Sequence, residues 1–78
     1  MHLHVRYFAS LRDAAGCDAE TIVHDGDAVS LYSRLARQHG FSMPQSRVRL
    51  AVNGAFVPWT QALHDGDEVV FLPPVSGG

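Results

Sequence analysis

One amphipathic stretch in the middle of the chain restricts what the sequence can fold into. The segment AVSLYSRLARQHG places apolar residues at positions 28, 31, 32 and 35, the spacing of a single helical face. Asp27 precedes this stretch as a candidate N-cap, and Gly40 ends it. A chain of 78 residues can cover such a helix only with the segments on either side, so we expect one main helix packed across a sheet.

The flanking segments have the patterns of strands. In HLHVRYF, residues 2–8, the apolar side chains of Leu3, Val5 and Tyr7 alternate with polar ones, which is typical of a half-buried strand. A second strand at 20–24 follows a short helix at 9–16 and is predicted to pair antiparallel with the first. Further strands are predicted at 48–52, at 55–59 as a short edge strand interrupted by Pro58, and at 68–72 as a central strand.

The order of these elements is strand, short helix, strand, long helix and three strands. Asn53-Gly54 predicts a tight hairpin turn between the third and fourth strands, and the segment 41–46, which contains Pro44, is predicted as a loop. This order predicts an α+β fold of the β-grasp, or ubiquitin-like, type. We expect one domain over residues 1–78, with 73–78 as an extended C-terminal tail.

The tail is the segment with the clearest potential for chemistry. Pro73-Pro74 leave the last strand as a stiff spacer, Val75 and Ser76 continue it, and Gly77-Gly78 end it without side chains. Such a tail is narrow enough to enter the active site of another protein. There the unhindered carboxylate of Gly78 would react with ATP to give an acyl adenylate, which is a good electrophile.

Composition and charge exclude several classes of function. The formal net charge is −2, and the six arginines are scattered along the chain, which argues against binding to nucleic acid. The opening MHLHVRYF is too short and too polar for a signal peptide, and no segment approaches a membrane span. We therefore expect a cytoplasmic protein without a membrane partner.

Other candidate sites are weak. His2 and His4 share one face of a strand, but no acidic or cysteine residue nearby in sequence completes a metal site, so no metal is predicted. Cys17 is the only cysteine and has no base placed beside it by local spacing. The two Asp-Gly-Asp segments lack the loop that calcium uses and are read as turns. His39, at the end of the long helix, is read as a partner of the helix dipole.

Three segments resemble one known family. YFASLRDAAG near the start, LAVNGAFV in the middle and LHDGDEVVFLPPVSGG at the end are together similar to the small subunit of molybdopterin synthase, a sulfur carrier. The resemblance runs in order over nearly the whole chain, and the ending PPVSGG is its most specific part.

The resemblance implies a mechanism and a set of partners. An E1-like activating enzyme adenylates the Gly78 carboxylate with ATP, and sulfur from a persulfide enzyme then gives a thiocarboxylate. The tail enters the large synthase subunit and donates sulfur to a pyranopterin precursor. Two carriers are used for each pterin, which implies a heterotetramer. The carrier binds no cofactor itself and acts as a sulfur donor rather than as a catalyst on its own.

The resemblance also implies which residues contact the partner. Phe8, Phe56 and Leu72 match positions where the family presents an apolar patch, and the tail residues Pro73, Pro74, Val75 and Ser76 lead from that patch to Gly77 and Gly78. For Leu72, strand alternation alone leaves core and surface equally open.

Three other functions stay open. A sulfur carrier for thiazole synthesis shares the fold and the tail chemistry, although it generally lacks the FASLRDAAG and PPVSGG segments. A ubiquitin-like modifier would form isopeptide bonds; the chain has no lysine, so it would not link to itself in this way. A β-grasp binding module without chemistry would have no use for the Gly-Gly ending.

Overall fold

The computed structural model describes residues 1–74, and the four residues from 75 to 78 lie outside the described part. Its strands are β1 (His2–Tyr7), β2 (Ala19–Val23), β3 (Arg49–Val52), β4 (Ala55–Val57) and β5 (Glu68–Leu72). Its helices are α1 (Ala9–Ala15) and α2 (Ala28–His39), with a short 3₁₀ helix at Gln45–Arg47.

The described strands form one mixed sheet in the order β2-β1-β5-β3-β4. β1 and β5 are parallel, and the other neighbours are antiparallel. The last strand is therefore central, as predicted, and β4 is an edge strand. This arrangement confirms the predicted β-grasp fold.

The main helix begins and ends where the sequence predicts. The Asp27 carboxylate accepts a hydrogen bond from the Ser30 backbone N–H at 2.8 Å, and this contact lowers the pKa of Asp27. At the other end Gly40 has φ 75°, a left-handed conformation that glycine adopts without strain. The helix is thus confined to the twelve residues that carry the apolar stripe.

The core lies between α2 and one face of the sheet, called here the inner face. Strand residues that point inward alternate with outward ones, and Tyr32 of the helix contacts Phe71 with ring centroids 5.2 Å apart. The buried members from the helix and sheet are Ala28, Leu31, Tyr32, Leu35, Leu3, Val5, Tyr7, Ile22, Leu50, Val52, Val69 and Phe71.

Several predicted boundaries shift for local reasons. β1 ends at Tyr7 rather than at residue 8, because the Phe8 carbonyl accepts hydrogen bonds from the backbone N–H groups of Leu11 and Arg12 and so begins α1. β4 ends at Val57 because Pro58 has no N–H to donate. β2 lies one residue earlier than predicted, β3 begins one residue later, and part of the predicted loop forms the 3₁₀ helix.

Candidate functional site

The face of the sheet opposite α2, called here the outer face, carries an apolar surface. Ala51 of β3 stands between Val70 of β5 and Phe56 of β4 in the strand register. Ala51 and Val70 are buried, yet neither belongs to the core cluster beneath the helix. We call Phe8, Ala51, Phe56, Val70 and Leu72 the outer patch.

The three aromatic and aliphatic residues predicted for partner contact all reach the surface. Phe56 is 58% exposed and Phe8 is 44% exposed, while Leu72 is half-buried. Phe8 follows β1 in an extended conformation and continues the outward alternation. Large apolar side chains left exposed together are typical of an interface, and their role in partner contact stays a prediction.

Part of the tail lies within the described residues. Leu72 ends β5, Pro73 is half-buried and Pro74 is exposed, and neither proline belongs to a strand. The predicted tail residues Val75, Ser76, Gly77 and Gly78 lie outside the described residues. The outer patch therefore adjoins the point where the tail leaves the sheet.

An arginine lies against the most exposed residue of the outer patch. The guanidinium carbon of Arg49 is 4.0 Å from the centroid of the Phe56 ring, well inside the range of a cation–π contact. Sequence reasoning missed this pair, although the Asn53-Gly54 turn contained the signal. Asn53 and Gly54 both have positive φ, and the resulting register makes Arg49 a diagonal neighbour of Phe56.

A second polar arrangement fixes the hairpin to the central strand. The Asp67 carboxylate accepts hydrogen bonds from the Asn53 side-chain amide at 2.9 Å and from the His64 backbone N–H at 2.8 Å. These two bonds, the first above all, lower the pKa of Asp67. Asn53 in turn accepts from the Glu68 backbone N–H. Asp67 thus holds the turn before β5 against the β3–β4 hairpin.

A half-buried polar cluster closes the end of α2 against the sheet. Glu20 accepts hydrogen bonds from the Tyr7 hydroxyl at 2.5 Å and contacts the His39 ring at 2.7 Å. Burial, together with the bond to Glu20, raises the pKa of Tyr7 above its ordinary value, so its hydroxyl keeps its proton. The dipole interpretation of His39 was incomplete, because its ring also pairs with a carboxylate from β2.

For the other candidate residues of the sequence, the structure adds no contacts that form a site within residues 1–74. His2 lies beside Asp65, with 3.4 Å between Nδ1 and Oδ1, and His4 lies beside Thr21. Within residues 1–74 no three histidine, cysteine or acidic side chains are placed to hold a metal ion. Cys17 is half-buried against the core. No helix in the described part of the chain is long and apolar enough to cross a membrane.

Comparison with known proteins gives one consistent result. Residues 5–78 match the ThiS family. The molybdopterin synthase sulfur carrier subunit of Escherichia coli is 35% identical over 80 aligned positions, which cover 97% of this chain and 99% of that protein.

Two solved structures are also similar to this chain in three dimensions. The small archaeal modifier protein 1 of Haloferax volcanii superposes with a TM-score of 0.80 at 26% identity, over 100% of both chains. A chain in the complex of subunits 1 and 2 of the molybdopterin-converting factor from Helicobacter pylori superposes with a TM-score of 0.71, also at 26% identity and over 100% of both chains. The chain therefore belongs to the ThiS family and resembles, over nearly its full length, the molybdopterin synthase sulfur carrier subunits within it.

Proposed function

We propose that this protein is the sulfur carrier subunit of a molybdopterin synthase. The observation that carries the proposal is the match over nearly the full length of both chains to a molybdopterin synthase sulfur carrier subunit at 35% identity. The outer patch beside the tail supports it, since a carrier has to dock on a larger protein before its tail can enter an active site.

The chemistry proposed for the tail takes place at the Gly78 carboxylate. An adenylating enzyme joins this carboxylate to AMP from ATP and releases pyrophosphate. The terminal sulfur of a persulfide on a sulfur-donating enzyme then expels AMP, and cleavage of the acyl disulfide by a second thiol leaves a thiocarboxylate. This chain supplies the acyl group and the reach of the tail, and the enzymes that bind it supply the catalytic groups.

The proposed acceptor of the sulfur is a pyranopterin precursor bound to the large synthase subunit. The Helicobacter pylori complex of subunits 1 and 2 supports a partner of this kind. A thiocarboxylate is lost to hydrolysis in water, so transfer within a closed protein–protein complex protects it. Two carriers for each pterin correspond to a heterotetramer of two small and two large subunits.

A second candidate function rests on a different comparison. The structural similarity to small archaeal modifier protein 1 favours a role as a ubiquitin-like modifier, in which the activated Gly78 carboxylate would join a lysine of another protein. The activation step is shared with sulfur transfer, and the two functions differ in the nucleophile that follows. A sulfur carrier for thiazole synthesis shares the nucleophile and differs in the acceptor.

Removal of the last residue tests the proposal. The purified chain would be incubated with the adenylating enzyme, ATP, a persulfide donor, the large subunit and the pterin precursor. We expect the wild-type chain to support product formation, and a chain without Gly78, or with one residue added after it, to support none while keeping its fold and its docking. Arg37→Ala, an exposed change on α2, is the control and should behave as wild type. A truncated chain that still transfers sulfur would contradict the proposal.

A further inference from the structure

Arg49 has features that its contact with Phe56 alone does not explain. The Arg49 guanidinium carbon lies over the Phe56 ring, and a guanidinium carries five N–H donors. Within residues 1–74, the arginines paired with a carboxylate are Arg6 and Arg12, not Arg49. Arg49 is therefore held in place by an aromatic ring while its donors stay available to another molecule.

A shallow cleft of about 450 Å³ is lined in part by both members of this pair. Its walls come from the chain around the start of β3, including Ser46 and Val48 before it, and around the end of β4, including Pro58 and Trp59 after it. Most of the lining side chains are apolar. The Trp59 indole N–H already donates to the Val48 carbonyl at 3.1 Å, so this polar pair is satisfied within the protein. The cleft is thus suited to an apolar side chain, and the rim beside Arg49 is suited to a carboxylate.

Arg49 lies near the point where the predicted tail begins. In the strand register Arg49 stands opposite Leu72, the residue at which the tail leaves the sheet. A protein that takes the tail into its active site has to approach this place closely. The cleft is also continuous with the outer patch, since Phe56 belongs to both.

From these observations we propose that Arg49 and the neighbouring cleft form a specificity element for the large synthase subunit. The partner places an apolar side chain in the cleft and an aspartate or glutamate carboxylate against the Arg49 guanidinium. This inference rests on the proposed function, because it takes the large subunit as the docking partner. The apolar contact supplies affinity, and the ion pair selects the partner and its orientation.

Charge reversal at Arg49 tests the inference. Dissociation constants for the large subunit would be measured for wild type, Arg49→Glu, Arg49→Lys and the control Arg37→Glu, which makes the same charge change on α2. We expect Arg49→Glu to weaken binding by about tenfold or more and Arg49→Lys by less, while the control stays within about twofold. The difference between Arg49→Glu and wild type should shrink as the salt concentration rises.

A scan of the partner identifies the carboxylate. Each exposed acidic residue of the large subunit would be changed to lysine, and we expect one such variant to restore the binding of Arg49→Glu. Equal binding by Arg49→Glu and Arg37→Glu, or the absence of any restoring variant, would overturn the inference while leaving the proposed function intact. A wild-type chain that does not bind the large subunit would overturn both. Thermal unfolding checks the fold, and Arg49→Gln replaces Arg49→Glu if the latter does not fold.

Discussion

The two faces of the sheet are built from the same strands but are organised differently. On the inner face, Phe71 is fully buried and contacts Tyr32 and Trp59. Its neighbour Leu72 points to the outer face and is half-buried at the start of the tail. One step along β5 thus separates a residue that holds the fold together from one that is available to a partner.

This difference shows how a small domain keeps stability and binding apart. The inner face is closed by α2, so its apolar side chains contribute to folding. No helix covers the outer patch in the described part of the chain, and its members Phe8, Phe56 and Leu72 stay accessible. Their burial is therefore available for complex formation. Substitutions on the two faces should therefore affect different measurements.

The largest effect is expected on the inner face. Phe71→Ala removes a fully buried ring and should lower the free energy of unfolding by about 3–5 kcal/mol. Urea unfolding followed by tryptophan fluorescence measures this change. Leu72→Ala is the matched control at the next position and should cost less than about 1 kcal/mol. Similar losses for both variants would mean that the two faces do not differ in this way.

A smaller effect is expected on the outer face, and in binding rather than in stability. Phe56→Arg should weaken docking to the large subunit by roughly tenfold to a hundredfold, because it replaces the most exposed apolar side chain of the outer patch by a charge. Its free energy of unfolding should fall by only about 1 kcal/mol, since Phe56 is mostly exposed on an edge strand and the loss is limited to its contact with Arg49.

The control for Phe56→Arg lies on the same face at the opposite edge of the sheet. Val23 in β2 is 57% exposed, and Phe56 is 58% exposed. Val23 stands opposite His2, at the edge of the sheet away from Phe56. Val23→Arg should leave docking unchanged. Equal weakening by both variants would show that the outer patch is not the docking surface, and unfolding of Phe56→Arg would show that Phe56 belongs to the core.

The smallest effect is expected at Asp67, where the hairpin meets β5. The two Asp67 carboxylate oxygens accept one hydrogen bond each, from the Asn53 amide and from the His64 N–H. Asp67→Asn keeps only one of these oxygens, so it should lower the free energy of unfolding by about 1 kcal/mol at neutral pH. Because folding lowers the pKa of Asp67, the carboxylate stabilises the fold above the ordinary pKa of aspartate. This contribution is lost as the pH falls through the lower pKa of the folded state.

Unfolding at several pH values checks this assignment. The gap in stability between wild type and Asp67→Asn should be full at neutral pH and should close as the pH falls below the ordinary pKa of aspartate. Asp13→Asn, an exposed change on α1, is the control, and its free energy of unfolding should stay close to that of wild type at every pH measured. A gap between wild type and Asp67→Asn that stays constant with pH would mean that the hydrogen bonds do not depend on the charge of Asp67.

Much of the fold was predictable because it depends on local patterns. Alternation in β1 identifies Leu3, Val5 and Tyr7 as inward residues, and the apolar stripe of α2 identifies the helix face that covers them. Asp27 and the glycine after the helix set its ends. Each of these signals lies within a few residues of the feature that it specifies.

The polar contacts were less predictable because they join distant parts of the chain. Glu20 meets His39 only because α2 crosses the sheet and ends over β2, and a short-range pattern does not encode that crossing. The Asn53–Asp67 bond likewise depends on β5 entering the sheet beside β3. The resemblance named Phe8, Phe56 and Leu72 of the outer patch, whereas Ala51, Val70 and Arg49 beside them required the strand register.

We propose that the tail carries sulfur to a large subunit docked on the outer face. The most direct test is to isolate the protein from its own cells and to measure, by mass spectrometry, its intact mass and the proteins bound to it. We expect the large molybdopterin synthase subunit to be recovered, and the C-terminal peptide to be heavier by the difference between sulfur and oxygen. Recovery of a thiazole synthase instead, or of adducts between Gly78 and lysines of many unrelated proteins, would contradict the claim.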